Sequence, residues 1–165
     1  MESTAEKTRY ITILRHLFSI VMHNFISDIS HYDIVLNLAI QAKNSLWIGT
    51  ADIKDLYVIQ GQTEKPFLGI LSELIGHGVE VRLIHAKEPG PNFCKDFDKY
   101  PSLARMLERV LCPRVHFKII IIDQKICYIG SANLTGAGMG MKSAYRRNFE
   151  AGILTDNSDI VNAAF

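Results

Sequence analysis

Residues 115–130, VHFKIIIIDQKICYIG, hold two apolar runs separated by only Asp123-Gln124-Lys125. So short a link joins strands only as an antiparallel hairpin, because a parallel pair needs a crossover of a dozen or more residues. Ile119 to Ile122, bounded by Lys118 and Asp123, is a core strand and far too short to cross a membrane. Upstream, IVLNLAIQAK (34–43) spaces its apolar residues three and four apart as a helix does, and SLWIGT (45–50) reads as a strand. Residues 55–60 continue or bend that extended region. Pro66 opens a second helix reaching Leu74 and Ile75 and ended by Gly76 and Gly78, after which VEVRLIHA (79–86) alternates as a strand. Strand, helix, strand predicts parallel neighbours and a right-handed crossover. With the hairpin added, the expected fold is α/β: a mixed β-sheet flanked by helices, not a purely parallel one.

The 165 residues, 48% hydrophobic and 21% charged, suffice for one domain with a real core and exclude a bilobal enzyme within the chain. Pro89, Gly90 and Pro91 break the chain before a helix expected over 101–110, together an insertion over the sheet edge. NLTGAGMGMKSAYR (133–146) reads as loop and RNFEAGILTD (147–156) as a further strand. There is no internal repeat. At the start, residues 10–26 form the longest apolar stretch, interrupted by Arg15, His16, His23 and Asn24. A membrane span wants about 20 nearly uninterrupted apolar residues, so this stretch reads as a helix packing on the domain or a partner subunit. A membrane anchor through residues 10–26 is the alternative. Residues 1–32 are therefore expected as an N-terminal helical extension and 33–165 as the functional domain. The closing NSDIVNAAF reads as a terminal helix that could continue, so the chain is also read as a candidate fragment of a larger enzyme.

A formal charge of +1 does not announce a polyanion binder, but its distribution is uneven: residues 1–81 carry net −3 and residues 82–141 net +4. An anionic substrate should meet the second half. Cys94, Cys112 and Cys127 are odd in number and unclustered, with no signal-peptide pattern, which gives a reduced, cytoplasmic chain as the expectation. Cys112 and His116 stand four apart but supply only half of a tetrahedral metal site, so no metal and no cofactor is expected.

On an extended strand His116 and Lys118 share a face while Phe117 turns to the other, towards the core. With the hairpin turn at residues 124 and 125, Lys118 falls opposite Ser131 and His116 opposite Asn133, give or take one residue. Asn148 and Glu150 likewise share a face, and a carboxylate beside an imidazole fixes its tautomer, which makes Glu150 the partner for His116. Asp123 has the opposite parity and is expected at the turn holding backbone amides. Gly136, Gly138 and Gly140 lack the lysine and hydroxyl that a phosphate-binding P-loop needs, and read as a flexible loop. Lys142, Arg146 and Arg147 are either a solvated patch or a guide for a polyanionic backbone, with Tyr145 available to stack on a base. Trp47 is expected in the core.

HFKIIIIDQKICYIGSAN, residues 116–133, has the form H-x-K-x4-D-x6-G-S-x-N and resembles the signature of the phospholipase D-like phosphodiesterase superfamily. The later Asn148-Phe149-Glu150 is similar to that family's downstream acidic element, and the likeness spans roughly residues 34–157. It implies His116 as the phosphoryl-accepting nucleophile, and Lys118 and Asn133 as phosphate ligands. It further implies Ser131 as a supporting hydrogen-bonding residue, Glu150 as the group orienting His116, and Asp123 as a structural acid. Family enzymes use two such motifs and this chain has one, which implies a homodimer with two copies across a two-fold axis. Chemistry requires the pair: one histidine attacks phosphorus while the other protonates the leaving oxygen.

The expected activity is metal-independent phosphodiester hydrolysis, with nucleic acid favoured as substrate for a small chain that is mildly basic near the site. The competing readings are a phospholipase-like lipid hydrolase and a non-catalytic module that binds nucleic acid or protein.

Overall fold

The computed structural model describes residues 21–54, 56–60 and 63–165. A seven-stranded mixed sheet, in the order β1-β9-β8-β7-β2-β5-β6, forms the centre. Its strands are β1 His23–Ser27, β2 Ser45–Thr50, β5 Glu80–His85, β6 Glu108–Leu111, β7 Lys118–Ile122, β8 Ile126–Gly130 and β9 Ala151–Thr155. A separate two-stranded ribbon pairs β3, Tyr57–Gln60, with β4, Thr63–Pro66. The helical elements are α1, a π-helical stretch His31–Leu36 running on into the α-helical turn Asn37–Ala39; α2, Phe67–Gly76; α3, Pro91–Phe97; α4, Pro101–Met106; and α5, Ser158–Ala164. β2 and β5 are parallel with α2 as crossover, and β7 is antiparallel to both β2 and β8, so the mixed α/β sheet anticipated from the alternation is the sheet that forms.

One face of the sheet carries the main core. Leu36, Leu46, Ile48, Leu71, Leu83, Ile120, Ile122, Tyr128 and Leu154 are buried there beneath α1 and α2. On the other face α5 covers Ile121 and Cys127 through Val161, with Trp47 half-buried and stacked on Phe165 at 3.9 Å. Trp47 therefore lies under α5, with its Nε1 donating to Glu80 at 2.9 Å, and not in the main core. The cross-strand row Phe25, Ile153 and Ile129 continues this second face without cover among the described residues.

Three segments differ from their sequence-based expectation, each because pairing with a distant strand outweighs local pattern. The helix expected over 10–26 is, in its described part, the strand β1, whose residues His23 to Ser27 pair antiparallel with Thr155 to Ala151. The expected N-terminal extension thus contributes an edge strand to the sheet, while residues 10–20 lie outside the described residues. The helix expected over 101–110 stops at Met106, and Glu108–Leu111 becomes β6, parallel to β5 and tied to it by the Arg82–Glu108 ion pair at 2.8 Å. The last strand begins at Ala151, leaving Asn148 and Glu150 in the preceding loop. No helix among the described residues is long and apolar enough to cross a membrane.

Candidate active site

Lys118 opens β7 at the sheet end where the parallel strands β2, β5 and β6 finish, the end at which open α/β sheets build their sites. Its side chain is buried on the main-core side, and its Nζ donates to the His116 carbonyl at 2.7 Å. The His116 side chain is exposed and makes no hydrogen bond with the described residues. Phe117 turns to the opposite face, as the alternation requires, but it stays half-exposed there and does not enter the core. It lies across Gly49, where a Cβ would stand 2.2 Å from its ring. Any larger residue at position 49 would require the Phe117 ring to shift.

The hairpin register places Lys118 opposite Gly130, one residue from the anticipated Ser131. Tyr128 explains the motif glycine: its ring folds back along the strand, so that a Cβ at Gly130 would stand 2.2 Å from the phenol oxygen. Gly152 clears the same ring on the neighbouring strand, where a Cβ would come within 2.5 Å of it. Burial pushes the Tyr128 phenol up to about 12, so it stays neutral.

Ser131 Oγ donates to Glu150 Oε2 and accepts from Ala151 N at 3.1 Å, while Asn148 Nδ2 donates to Glu150 Oε1 at 3.0 Å. Glu150, Ser131 and Asn148 are therefore one hydrogen-bonded group. No hydrogen bond joins Glu150 to His116 among the described residues. Asn133 departs from the hairpin altogether. Its Oδ1 accepts from Asp52 N at 3.0 Å and lies 3.4 Å from Thr50 Oγ1, which leaves its Nδ2 free to donate outwards. Leu134 N donates to the Thr50 hydroxyl at 3.0 Å, and Lys54 N to the Leu134 carbonyl at 3.0 Å, stitching the motif to the loop after β2.

Asp123 sits at the far end of β7, roughly 16 Å from Lys118 at 3.3 Å per residue. Its backbone and that of Gln124 are left-handed (φ 52° and 54°), the primed turn that matches strand twist. Its carboxylate accepts from the backbone amides of Lys43 (2.9 Å), Asn44 (2.6 Å) and Ser45 (3.0 Å), the structural role its parity predicted. Burial raises its pKa, but the three amides more than offset that and hold the carboxyl below its ordinary value of 3.8.

Sequence reasoning missed Thr50 and Asp52. The available signal was position: Thr50 ends a parallel strand at the site-bearing edge of the sheet. Its neighbour His85 is also buried there, and Arg109 Nε donates to His85 Nε2 at 2.8 Å, which assigns the ring proton to Nδ1 and points it at the Lys87 carbonyl. Burial lowers the His85 pKa, and both nitrogens of this neutral imidazole are hydrogen-bonded, whereas the His116 ring makes no hydrogen bond among the described residues.

Lys142, Arg146 and Arg147 lie in the loop between Asn133 and Asn148, which is closed by Lys142 N to Gly136 O (3.2 Å), Arg147 N to Ser143 O (3.1 Å) and Asn148 N to Ala137 O (3.1 Å). The segment expected to be flexible is thus cross-linked by its own backbone. Among the described residues no three His, Cys, Asp or Glu side chains gather as metal ligands.

A mixed sheet carrying His116, Lys118, Asn133 and Glu150 at one end defines a phospholipase D-like domain. The chain belongs to the family described as cardiolipin synthase, PLD-like domain, whose model matches residues 35–164, and through it to the phospholipase D-like phosphodiesterase superfamily. Similar solved structures include NucT from Helicobacter pylori (18% identity, 88% of this chain and 91% of that one, TM-score 0.62). Another is Nuc from Salmonella typhimurium, a phospholipase D family member (19%, 87% and 89%, TM-score 0.61). The polyphosphate kinase from Porphyromonas gingivalis shares the fold over 24% of its own length (14% identity, 85% of this chain, TM-score 0.59). No curated protein matches in sequence.

Proposed function

We propose that the chain hydrolyses phosphodiesters of nucleic acid, without a metal, at a site shared by two subunits. The observation that carries this is the contrast at one sheet end between a hydrogen-bonded surround and an exposed His116 ring with no hydrogen-bond partner among the described residues. A neutral imidazole nitrogen of His116 attacks phosphorus, the bond to the leaving oxygen breaks, and that oxygen takes a proton from His116 of the partner subunit. Water, giving its proton to His116 of the partner subunit, then attacks the phosphohistidine and frees the first ring. Lys118 and the Asn133 Nδ2 offset the charge that builds on the phosphoryl oxygens, doing with protein donors what a metal does elsewhere. Glu150, fixed by Ser131 and Asn148, is the carboxylate at the His116 end of the sheet and the candidate for orienting that ring. The net basic second half of the chain and the cations Lys142, Arg146 and Arg147 support a polyanionic substrate.

The test is turnover in excess chelator on a small chromogenic diester, single-stranded DNA, duplex DNA, RNA and phosphatidylcholine vesicles. Nucleic acid and the small diester should be cleaved, and His116→Asn should lower kcat more than about a thousandfold. Persistent turnover by H116N, or activity that is lost with chelator and restored by a stoichiometric divalent ion, would overturn the mechanism. Cleavage confined to the vesicles would overturn the substrate.

A further inference from the structure

Tyr145 and Phe149 are the two most exposed aromatic side chains among the described residues, Tyr145 fully and Phe149 at 95%; the next, Phe25, is at 75%. They stand four residues apart in one loop, and that loop is no loose tail. Arg146 N and Arg147 N both bond to Ser143 O (2.8 and 3.1 Å), and Asn148 N bonds to Ala137 O, so the backbone holding the rings is closed on itself. Leaving two whole rings in water forgoes the stabilisation their burial would bring, roughly 25 cal/mol for each Å² of apolar surface. None of the other described residues covers them.

Their setting identifies what would. From Lys142 to Phe149 there are three cations and no acid. Glu150, the first carboxylate, has both oxygens engaged by Ser131 and Asn148. Phe149 is therefore flanked on both sides by members of the candidate site's hydrogen-bonded group. Along the chain, charge and ring alternate: Lys142, Tyr145, Arg146 and Arg147, then Phe149. A polynucleotide strand alternates in the same way, a phosphate and then a flat base. In a duplex the base faces are stacked on one another and unavailable, so rings of this kind find partners only on unpaired or everted bases. An anionic bilayer would also accept cations and aromatics, but it rewards a continuous apolar face, and here the rings are separated by charged and small residues with no aliphatic side chain larger than Ala144 between Lys142 and Phe149.

We infer that Tyr145 and Phe149 form a base-stacking rim at the mouth of the site, which selects unpaired polynucleotide strands. The inference rests on the phosphodiesterase reading for its biological use, but the rim can be measured as binding alone. Both side chains are exposed, so Tyr145→Ala with Phe149→Ala should keep the wild-type melting temperature. Fluorescence anisotropy on labelled oligo-dT should show affinity falling about tenfold to a hundredfold, whereas a duplex of equal length should change less than about threefold. The conservative Tyr145→Trp, Phe149→Trp pair should restore oligo-dT binding. Turnover of the small chromogenic diester should stay within about twofold of wild type, because the phosphoryl ligands are untouched. Equal losses on single strand and duplex would overturn the rim. So would unchanged oligo-dT binding, whether the double variant instead loses affinity for phosphatidylglycerol vesicles or sediments as a smaller particle, since the rings would then serve a membrane or a second subunit. If the wild type turns over no diester yet binds oligo-dT through these rings, the catalytic reading fails and the rim stands.

Discussion

The buried Thr50 hydroxyl donates to the Asp52 carbonyl at 2.8 Å, accepts from Leu134 N at 3.0 Å and lies 3.4 Å from Asn133 Oδ1. With the Asp52 amide, it fixes which way the Asn133 side chain faces: carbonyl oxygen inwards, amide group outwards. Thr50→Val keeps the shape and removes the hydroxyl, leaving the Leu134 amide buried without an acceptor at a cost of about 1 to 3 kcal/mol. The expected result is a lower melting temperature together with about a tenfold fall in kcat on the small diester and little change in KM, because Asn133 is meant to act on charge that develops during reaction. Loss of stability with kcat intact would reduce Thr50 to a structural residue. At this scale the sequence was legible where parity governs, with Lys118 and Phe117 on opposite faces and Asp123 on backbone amides, but it turned Phe117 towards the core where the structure buries Lys118 instead. It was not legible for Asn133, whose partners lie 81 and 83 residues away, at Asp52 in the loop after β2 and at Thr50, the last residue of that strand.

At the scale of elements, Asp123 joins the β7–β8 turn to the start of β2, and through it the hairpin to the α1–β2 connection. Its carboxyl is held below 3.8, so the folded state binds its proton less readily than the unfolded chain. The stability this contributes is therefore complete above the ordinary carboxylate range and is lost as pH falls through the depressed folded value. Asp123→Asn should lower the melting temperature at pH 7, and the gap from wild type should close as pH drops below about 4. Thermal unfolding from pH 7 to pH 3 checks this, and a gap independent of pH would mean that the carboxylate's charge contributes nothing. The hairpin, the β2–α2–β5 unit and the turn were readable because each is set by residues adjacent in the chain. The strands β1 and β6 were not, since His23–Ser27 and Glu108–Leu111 extend by pairing with β9 and β5 rather than by their own pattern.

For the whole molecule, one motif per chain and a mechanism needing two histidines make the site a property of the proposed dimer. Wild type allowed to exchange subunits with excess His116→Asn should lose specific activity as the square of its fraction, whereas independent sites would lose it in direct proportion. Linear loss, or full turnover by a particle shown monomeric in light scattering at assay concentration, would sink the shared site. The net +4 between residues 82 and 141 lies in the part of the chain that supplies β6, β7 and β8, which includes the Lys118 strand, although β2 and β5 separate β6 from β7 in the sheet.

What the amino-acid order determined by itself was the sheet's mixed character, the hairpin that sets His116 and Lys118 at one end, and the residue types of the motif. Those depend on alternation, turn chemistry and covalent spacing, which act over a few residues. The tertiary structure alone decided that Glu150 closes on Ser131 and Asn148, that Asn133 is aimed by Thr50 and Asp52, that β1 and β6 complete the sheet, and that Tyr145 and Phe149 stand in solvent. Each of these is a contact, or a lack of one, between segments distant in the chain, and local periodicity carries no information about which distant backbone will be there to accept the bond.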